Sequence, residues 1–401
     1  MKIAWICHFS NPEIQKMLGL EGSVHHFAPW ITYTIPVFEN TPEHELHIIS
    51  PHRYLKQHRS FVLRGVHYHL FNPGIPFWGR HWPSFFRWDL FTHYRGTRRS
   101  IGKIIRTISP DVIHLQGAEN PYYSASILDL KKFYPILINL QRMNLSFDFG
   151  SSREGRLRTY YEKRILAEFE HYSIRTSTME RDLKQYNPQA VTHSVRYAIP
   201  MLQPYPAEKE HDLVFFARVS PTKGIEDLLK ASAIVAKQLG ELRVLIIGAV
   251  EDAYREYLNS TYACDKLILT WKGVLPQLED VHREACRAKI SVLPTHQDII
   301  PGTIVESMML GLPVVSTKVG SIPELNETRE SLILVEKGDI DALSQSILHL
   351  LQNPEEAASL AIRARQTISE WVGSEGVLEQ HITAYRATIE TYMNKSKQDR
   401  V

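Results

Sequence analysis

Cysteine is scarce. Cys7, Cys264 and Cys286 are the three in 401 residues, and their wide spacing forms neither a disulfide framework nor a zinc motif. Such usage suits a reducing compartment. No segment approaches the ~20 apolar residues of a membrane-spanning helix, and the apolar run in the N-terminal MKIAWICHF is too short for a signal peptide. We therefore expect a cytoplasmic protein. No G-x-G-x-x-G follows a strand, which removes the usual mark of a nicotinamide-binding enzyme. RNP-type and helix-turn-helix patterns are missing too, so nucleic acid is not expected as a partner. Repeats and low-complexity segments are absent apart from the polar tail KSKQDRV.

The composition that remains is globular, at 43% apolar and 22% charged residues. The length exceeds what one hydrophobic core usually organises, so two domains are expected. The net charge of +2 hides an asymmetry: residues 1–200 hold 25 Lys/Arg against 16 Asp/Glu, and residues 201–401 hold 21 against 28. Much of the basic excess lies in residues 51–110, where eleven Lys/Arg face the single acid Asp89 among dense aromatics. Two readings are open for this region: a core whose charges are solvated, or a surface that meets something acidic, such as anionic lipid headgroups.

Apolar runs alternate with helical periodicity. Strands are expected at 2–8, 45–50, 112–116, 134–141 and 172–177, with helices over 23–40, from Pro83 to Ile108, and over 156–169. Pro200, Pro204 and Pro206 then break both periodicities. Alternation restarts with strands at 212–218, 243–248, 267–271, 289–294 and 313–317 and helices from Ile225, at 278–288 and at 302–310. Strands alternating with helices predict parallel α/β sheets, one in each half.

Two stretches of the second half carry candidate chemistry. In FFARVSPTKGIEDLL a strand ends near Arg218, a loop carries Lys223 and Gly224, and a helix begins. In PTHQDIIPGTIVESMML a Pro-Gly pair opens a helix between Asp298 and Glu306. Unpaired N–H groups at such helix starts, here those of Thr303 and Ile304, together with two cations, suit a bound anion. Glu306 could accept two ribose hydroxyls, and Asp298 would face whatever lies beyond the phosphates. The plainer alternative makes Arg218 and Lys223 solvated charges, Asp298 a helix cap and Glu306 a first-turn surface acid.

The residues resemble glycosyltransferase family 4 (glycosyl transferases group 1), retaining nucleotide-sugar transferases of the GT-B fold. ARVSPTKG is similar to that family's G-R-L-x-x-x-K-G, LIIG to its next strand and glycine, and PTHQDIIPGTIVESMMLGLPVVSTKVGSIPE to its acid-x7-acid segment with the G-x-P-V-V and G-x-x-P-E that follow. GLEGSVHHFAPWI, with Gly22, resembles its N-terminal glycine loop. The resemblance implies two doubly wound Rossmann-like domains facing across a cleft: an acceptor domain over 1–198, a Pro-rich linker over 199–211 and a donor domain over 212–375. A C-terminal helix at about 376–394 is expected to pack back on the first.

It further implies that Arg218 and Lys223 hold the donor diphosphate, that Glu306 binds the ribose and that Asp298 contacts the sugar. Asp298 stands where the family usually has glutamate. Arg218, Lys223 and Asp298 are then the catalytic set, and Gly22, Thr303 and Ile304 complete the donor contacts. The donor would be a UDP- or GDP-linked sugar, with no metal and no further cofactor required, and the acceptor a saccharide or lipid-linked saccharide at the inner face of the plasma membrane. The family often places a histidine at the end of an N-domain strand. Gln141 and Gln116 stand near such ends here, and His114 is expected to be buried and structural. His8, His25 and His26 lack the carboxylates a metal site would need. Two other readings remain at this point: a glycoside hydrolase using Asp298 and Glu306 as its carboxylate pair, and a nucleotide-binding protein without turnover.

Overall fold

The computed structural model describes residues 1–19, 28–39, 41–52, 55, 57–73, 87–141, 152–262 and 264–398. Gly22, His25, His26, Trp78, Trp82, Phe85 and Phe86 lie outside the described residues. The chain divides into two compact units, one of residues 1–200 with 373–401 and one of residues 201–372.

Eight strands form the sheet of the first unit: β1 (Lys2–Ile6), β2 (Glu45–Pro51), β3 (Arg59–Leu63), β4 (Val66–Phe71), β5 (Val112–Gln116), β6 (Ile136–Asn139), β7 (His171–Ile174) and β8 (Val191–Ser194). Their order is β3-β4-β2-β1-β5-β6-β7-β8, and only β3 runs antiparallel to its neighbour. Strands β5 and β6 are buried at every residue, as strands covered by helices on both faces must be. At the edge the pattern changes to alternation: Val66, Tyr68 and Leu70 of β4 are buried while His67 and His69 are half-exposed. A two-residue turn, Arg64-Gly65, joins β3 to β4 with φ of +47° and +78°, the geometry that matches hairpin twist.

The helices of this unit differ in places from expectation. Asn11 caps a short helix over Pro12–Met17 with a hydrogen bond to the Ile14 amide, where a loop is expected. The described part of the 23–40 helix is two pieces, Pro29–Thr34 and a 3-10 segment Ile35–Phe38, divided beside Pro36. The helix expected through 108 is also two, Trp88–Phe91 and Arg95–Ile108. His93 and Tyr94 between them have φ of +50° and +58°, left-handed conformations that interrupt any helix.

The helix Val377–Gln398 belongs to the core of this unit. The Tyr385 hydroxyl is fully buried. It accepts from Trp5 Nε1 at 2.9 Å and lies 2.8 Å from His114 Nδ1. His114 Nε2 pairs with Ser173 Oγ at 3.2 Å, so the imidazole is hydrogen-bonded at both nitrogens. Burial, and after it the neighbouring His381, holds its pKa well below the ordinary histidine value. His114 is thus a neutral structural residue, as expected.

The second unit holds six parallel strands: β9 (His211–Phe216), β10 (Leu242–Ile247), β11 (Leu267–Gly273), β12 (Ala288–Leu293), β13 (Val314–Thr317) and β14 (Ile333–Val335). Their order is β11-β10-β9-β12-β13-β14. The chain runs outward from β9 through β10 to β11, then returns to lay β12 on the other flank of β9. The strand order therefore reverses between β9 and β12, and ligands of doubly wound sheets bind outside the strand ends at such a point. Among the described residues no helix is long and apolar enough to cross a membrane.

Tyr385→Phe should destabilise the protein by about 1–3 kcal/mol, because it strands the buried Trp5 Nε1–H without an acceptor. Urea denaturation read by tryptophan fluorescence measures this, and a change under about 0.5 kcal/mol would show that the buried network contributes little.

Candidate functional site at the end of β9 and β12

The site begins with backbone packing. The loop after β9 carries Arg218 and then a 3-10 turn, Pro221–Lys223, which ends on Gly224 with φ +75°. A Cβ on Gly224 would lie 1.8 Å from the Pro294 carbonyl oxygen, at the end of β12. Only glycine permits that approach. A hydrogen bond reinforces it: the Thr222 carbonyl accepts from the His296 amide at 2.9 Å, with Thr295 Oγ1 3.2 Å away. The same rule holds at Gly320, where a Cβ would meet the Asp298 carbonyl at 2.0 Å. The Asp298 backbone is thereby pressed against the turn after β13.

Two helices start here. One, Ile225–Leu239, is entered from Gly224. The other, Gly302–Met309, is entered from Pro301. In the second, the Ile304 amide is already bonded to the Pro301 carbonyl at 3.1 Å, and its side chain is buried. The open amides of that first turn are those of Gly302 and Thr303, which make no hydrogen bond among the described residues. Ile304 is thus replaced by Gly302 as the second available N–H. The Thr303 hydroxyl donates to the Phe216 carbonyl at 2.7 Å, which fastens this helix to the end of β9.

Side chains follow from these placements. Lys223 Nζ donates to both oxygens of Asp298, at 2.8 and 2.7 Å, and Thr295 Oγ1 donates to Oδ2 at 2.7 Å. Residues 75 apart in sequence are so held in one ion pair, with the ammonium 26% and the carboxylate 17% exposed. Arg218 is exposed, and its guanidinium makes no hydrogen bond or ion pair among the described residues. Glu306 is half-buried and its Oε2 lies 3.2 Å from Nε2 of the buried His282. The structure thus brings Lys223, Asp298 and Thr295 into contact, and places Arg218 and Glu306 on the adjoining elements.

Several partners were not evident in the sequence. Thr295, which orients Asp298, carries no signal beyond a hydroxyl near an acid. His282 lies 24 residues before Glu306, on the helix Leu278–Ala285. His296 Nε2 pairs with Asp227 at 2.6 Å, so the charge of Asp227 is engaged within the fold. Tyr254 and Tyr262 donate to the two oxygens of Glu226. Burial first, then that bond, raises the Tyr254 phenol above its usual pKa. Among the described residues no cluster of metal-ligating side chains includes Asp298 or Glu306.

In the first unit the strand order reverses between β1 and β5. After β1, His8 pairs with the Tyr122 hydroxyl; after β6, the Gln141 amide, oriented to satisfy both neighbours, donates to Glu119 Oε1 at 3.1 Å and accepts from Trp30 Nε1 at 3.2 Å. Gln116 donates to His114 Nδ1 at 3.1 Å and accepts from Asn139 at 2.7 Å, which commits it to the buried network.

The chain is similar to known proteins in sequence and in fold. Residues 210–353 match the family described as "Glycosyl transferases group 1". An amylovoran biosynthesis glycosyltransferase of Erwinia amylovora is 32% identical over 186 residues, 43% of this chain and 42% of that protein. The chain spans about half the length of the curated relatives it matches. Sucrose-phosphate synthase from Thermosynechococcus elongatus superposes with a TM-score of 0.75 at 17% identity, covering 98% of this chain and 100% of that one. Anabaena HepE, solved with UDP and glucose, gives 0.64 at 14% identity, covering 98% and 99%. Residues 210–353, which span the β9–β14 unit, are thus similar to the group 1 glycosyl transferases, and the two α/β sheets share the fold of sucrose-phosphate synthase and HepE.

Proposed function

We propose that the protein is a retaining glycosyltransferase that moves a hexose-type sugar from a UDP- or GDP-linked donor to a saccharide or lipid-linked saccharide, in polysaccharide or glycolipid biosynthesis. The observation that carries this reading is the cationic ledge at the β9/β12 reversal: Arg218 without a partner among the described residues, Lys223 on the same loop, and two helix starts nearby. When the anomeric bond breaks, negative charge passes to the diphosphate while the sugar becomes oxocarbenium-like. Fixed cations and helix N–H groups aimed at the leaving group stabilise that charge most where it is largest, in the transition state.

Lys223 is fastened to Asp298, so one ammonium couples phosphate and sugar contacts. Glu306, its Oε2 beside His282, has a second oxygen with which to accept from ribose hydroxyls. No metal ion is needed in this scheme, since the cations are the protein's own. The relative named for amylovoran biosynthesis and another named for colanic acid biosynthesis in Escherichia coli support a role in polysaccharide assembly. The hydrolase reading loses ground: it gives no part to Arg218 and Lys223, and Lys223 engages both oxygens of Asp298. Nucleotide binding without transfer to any acceptor remains the other outcome that the experiments below separate.

The acceptor side of this reading rests on the helix Arg95–Ile108. Arg95, Arg99, Lys103 and Arg106 are exposed along it, and none makes an ion pair among the described residues. Trp88 and Phe91 just before it are 63% and 43% exposed. Arg98 differs from its neighbours, because Asp129 takes its guanidinium through two hydrogen bonds. A basic stripe with aromatic rings beside it suits anionic headgroups, and a lipid-linked acceptor at the inner face of the plasma membrane would be presented there.

Arg218→Ala should reduce transfer about 10- to 150-fold, the equivalent of one charge-assisted contact of roughly 1.5–3 kcal/mol, with unchanged circular dichroism. Kinetics like those of the wild type would remove this loop from the donor site. Glu306→Gln should weaken UDP or GDP affinity, measured by thermal shift across nucleoside diphosphates, and equal affinity would make Glu306 only a partner of His282. Reversing Arg95, Arg99 and Lys103 to Glu should abolish cosedimentation with anionic vesicles, each basic residue near the surface being worth about 1 kcal/mol. Failure of the unmodified protein to sediment at low salt would move the acceptor into solution.

A further inference from the structure

The edge of the first sheet collects imidazoles in a pattern that the transfer reaction does not use. Residues two apart on a strand share a face. Glu45 and His47 of β2 and His67 and His69 of β4 lie on one face, with His47 directly opposite His67. Ser60 of β3 stands opposite His69. The result is a compact set: His47 Nε2 is 3.0 Å and His67 Nε2 3.5 Å from the same Glu45 oxygen, and the two imidazole rings are stacked at 4.6 Å. All three ligand atoms fall within 4.8 Å of one another.

We infer that Glu45, His47 and His67 form a divalent metal site of the zinc class. Two imidazole nitrogens and one carboxylate oxygen are a donor set that borderline cations such as zinc favour over magnesium or calcium. Bonds of 2.0–2.1 Å at tetrahedral angles separate ligand atoms by about 3.3 Å, and the two distances to Glu45 bracket that value. His47 is nearly buried, whereas the side chains of His67 and Glu45 are 33% and 43% exposed. The cation would enter from solvent and keep water in its fourth position.

A second layer is already in place. A metal on Nε2 of His47 requires the proton on Nδ1, and Nδ1 lies 3.0 Å from His69 Nε2. His69 Nδ1 in turn meets Ser60 Oγ at 3.1 Å, and that hydroxyl meets His58 Nε2 at 2.8 Å. With His69 donating from Nδ1 and Ser60 donating to His58, every member of the chain is satisfied. Outer partners of this kind fix the orientation of a ligating histidine. A second adjacent histidine pair, His171 Nδ1 to His193 Nε2 at 2.9 Å, has no carboxylate completing a third ligand position among the described residues.

Its place in the fold indicates what the site does. Glu45 opens β2 and His67 is the second residue of β4, so the cluster sits at the N-terminal ends of parallel strands, away from the edge where doubly wound sheets bind substrates. A cation here ties β4 to β2 and, through His69 and Ser60, steadies the antiparallel edge strand β3. It acts on stability and not on the transferred sugar, and stands whether or not the proposed transferase activity is correct.

The test uses full-length protein made without a histidine tag and stripped with chelator, titrated with zinc chloride against a chromophoric competitor at neutral pH. One zinc per chain should bind, and thermal unfolding should shift upward with zinc, since a ligand of the native state alone stabilises it. Glu45→Gln, at a half-exposed strand end where folding is not at risk, and His67→Ala should each lower affinity at least tenfold, and His69→Ala about 10- to 100-fold. His171→Ala should leave it unchanged. No binding below millimolar zinc, or wild-type affinity in either Glu45→Gln or His67→Ala, overturns the proposal.

Discussion

The contact of Gly224 with the Pro294 carbonyl is the constraint on which the candidate donor site depends. Strands β9 and β12 are neighbours in the sheet, but adjacency alone would leave their loops free to splay. Because Gly224 has no side chain, the turn at 221–224 lies flat on the end of β12, and a hydrogen bond from the His296 amide to the Thr222 carbonyl holds it there. Lys223 then has one direction to go, toward Asp298. Gly248 repeats the arrangement on the other side of β9, where a Cβ would sit 1.9 Å from the Ala217 carbonyl. The segment bearing Arg218 is therefore confined between two backbone approaches, and Gly320 confines Asp298 likewise. An arginine and a lysine on flexible loops would lose side-chain and backbone freedom on binding an anion. On a backbone fixed before the ligand arrives, less of that freedom remains to be lost.

How much of this was legible follows from which signals are local. The apolar runs of β1, β5, β6, β9, β10 and β12 announced themselves because central parallel strands are hydrophobic on both faces. Helix starts at Ile225 and Gly302 were readable from a glycine and a Pro-Gly pair. The hairpin β3–β4 is faint in the sequence although Val66, Tyr68 and Leu70 alternate with histidines, because imidazoles are intermediate in polarity and blunt the period of two. Strand β8, reading VTHS, has too little apolar content to be seen. The break at His93 and Tyr94 within residues 88–108 leaves no mark in the sequence, because nothing in those side chains reports a positive φ.

The site was legible as residues but not as contacts. Arg218, Lys223, Asp298 and Glu306 stand out by type and spacing, whereas the Lys223–Asp298 bond depends on a strand order that reverses between them. The same gap separates Arg98 from Arg95 and Arg99. All three read as one basic cluster, yet Asp129 claims Arg98. Pairing across the fold is a three-dimensional fact, and sequence shows only who is eligible.

The helix Val377–Gln398 has a consequence for how the chain comes to be folded. It completes the core around Trp5, His114 and Tyr385, yet it follows the whole of the second unit in the chain. During synthesis, which proceeds from the N-terminus at about 5–20 residues per second, the first sheet emerges first and must wait some 10–35 s for the segment that covers it. Residues 201–372 are continuous and need nothing made later. The half synthesised second is therefore the one able to finish first, and in the interval the uncovered face around Trp5 is exposed to chaperones or to other nascent chains.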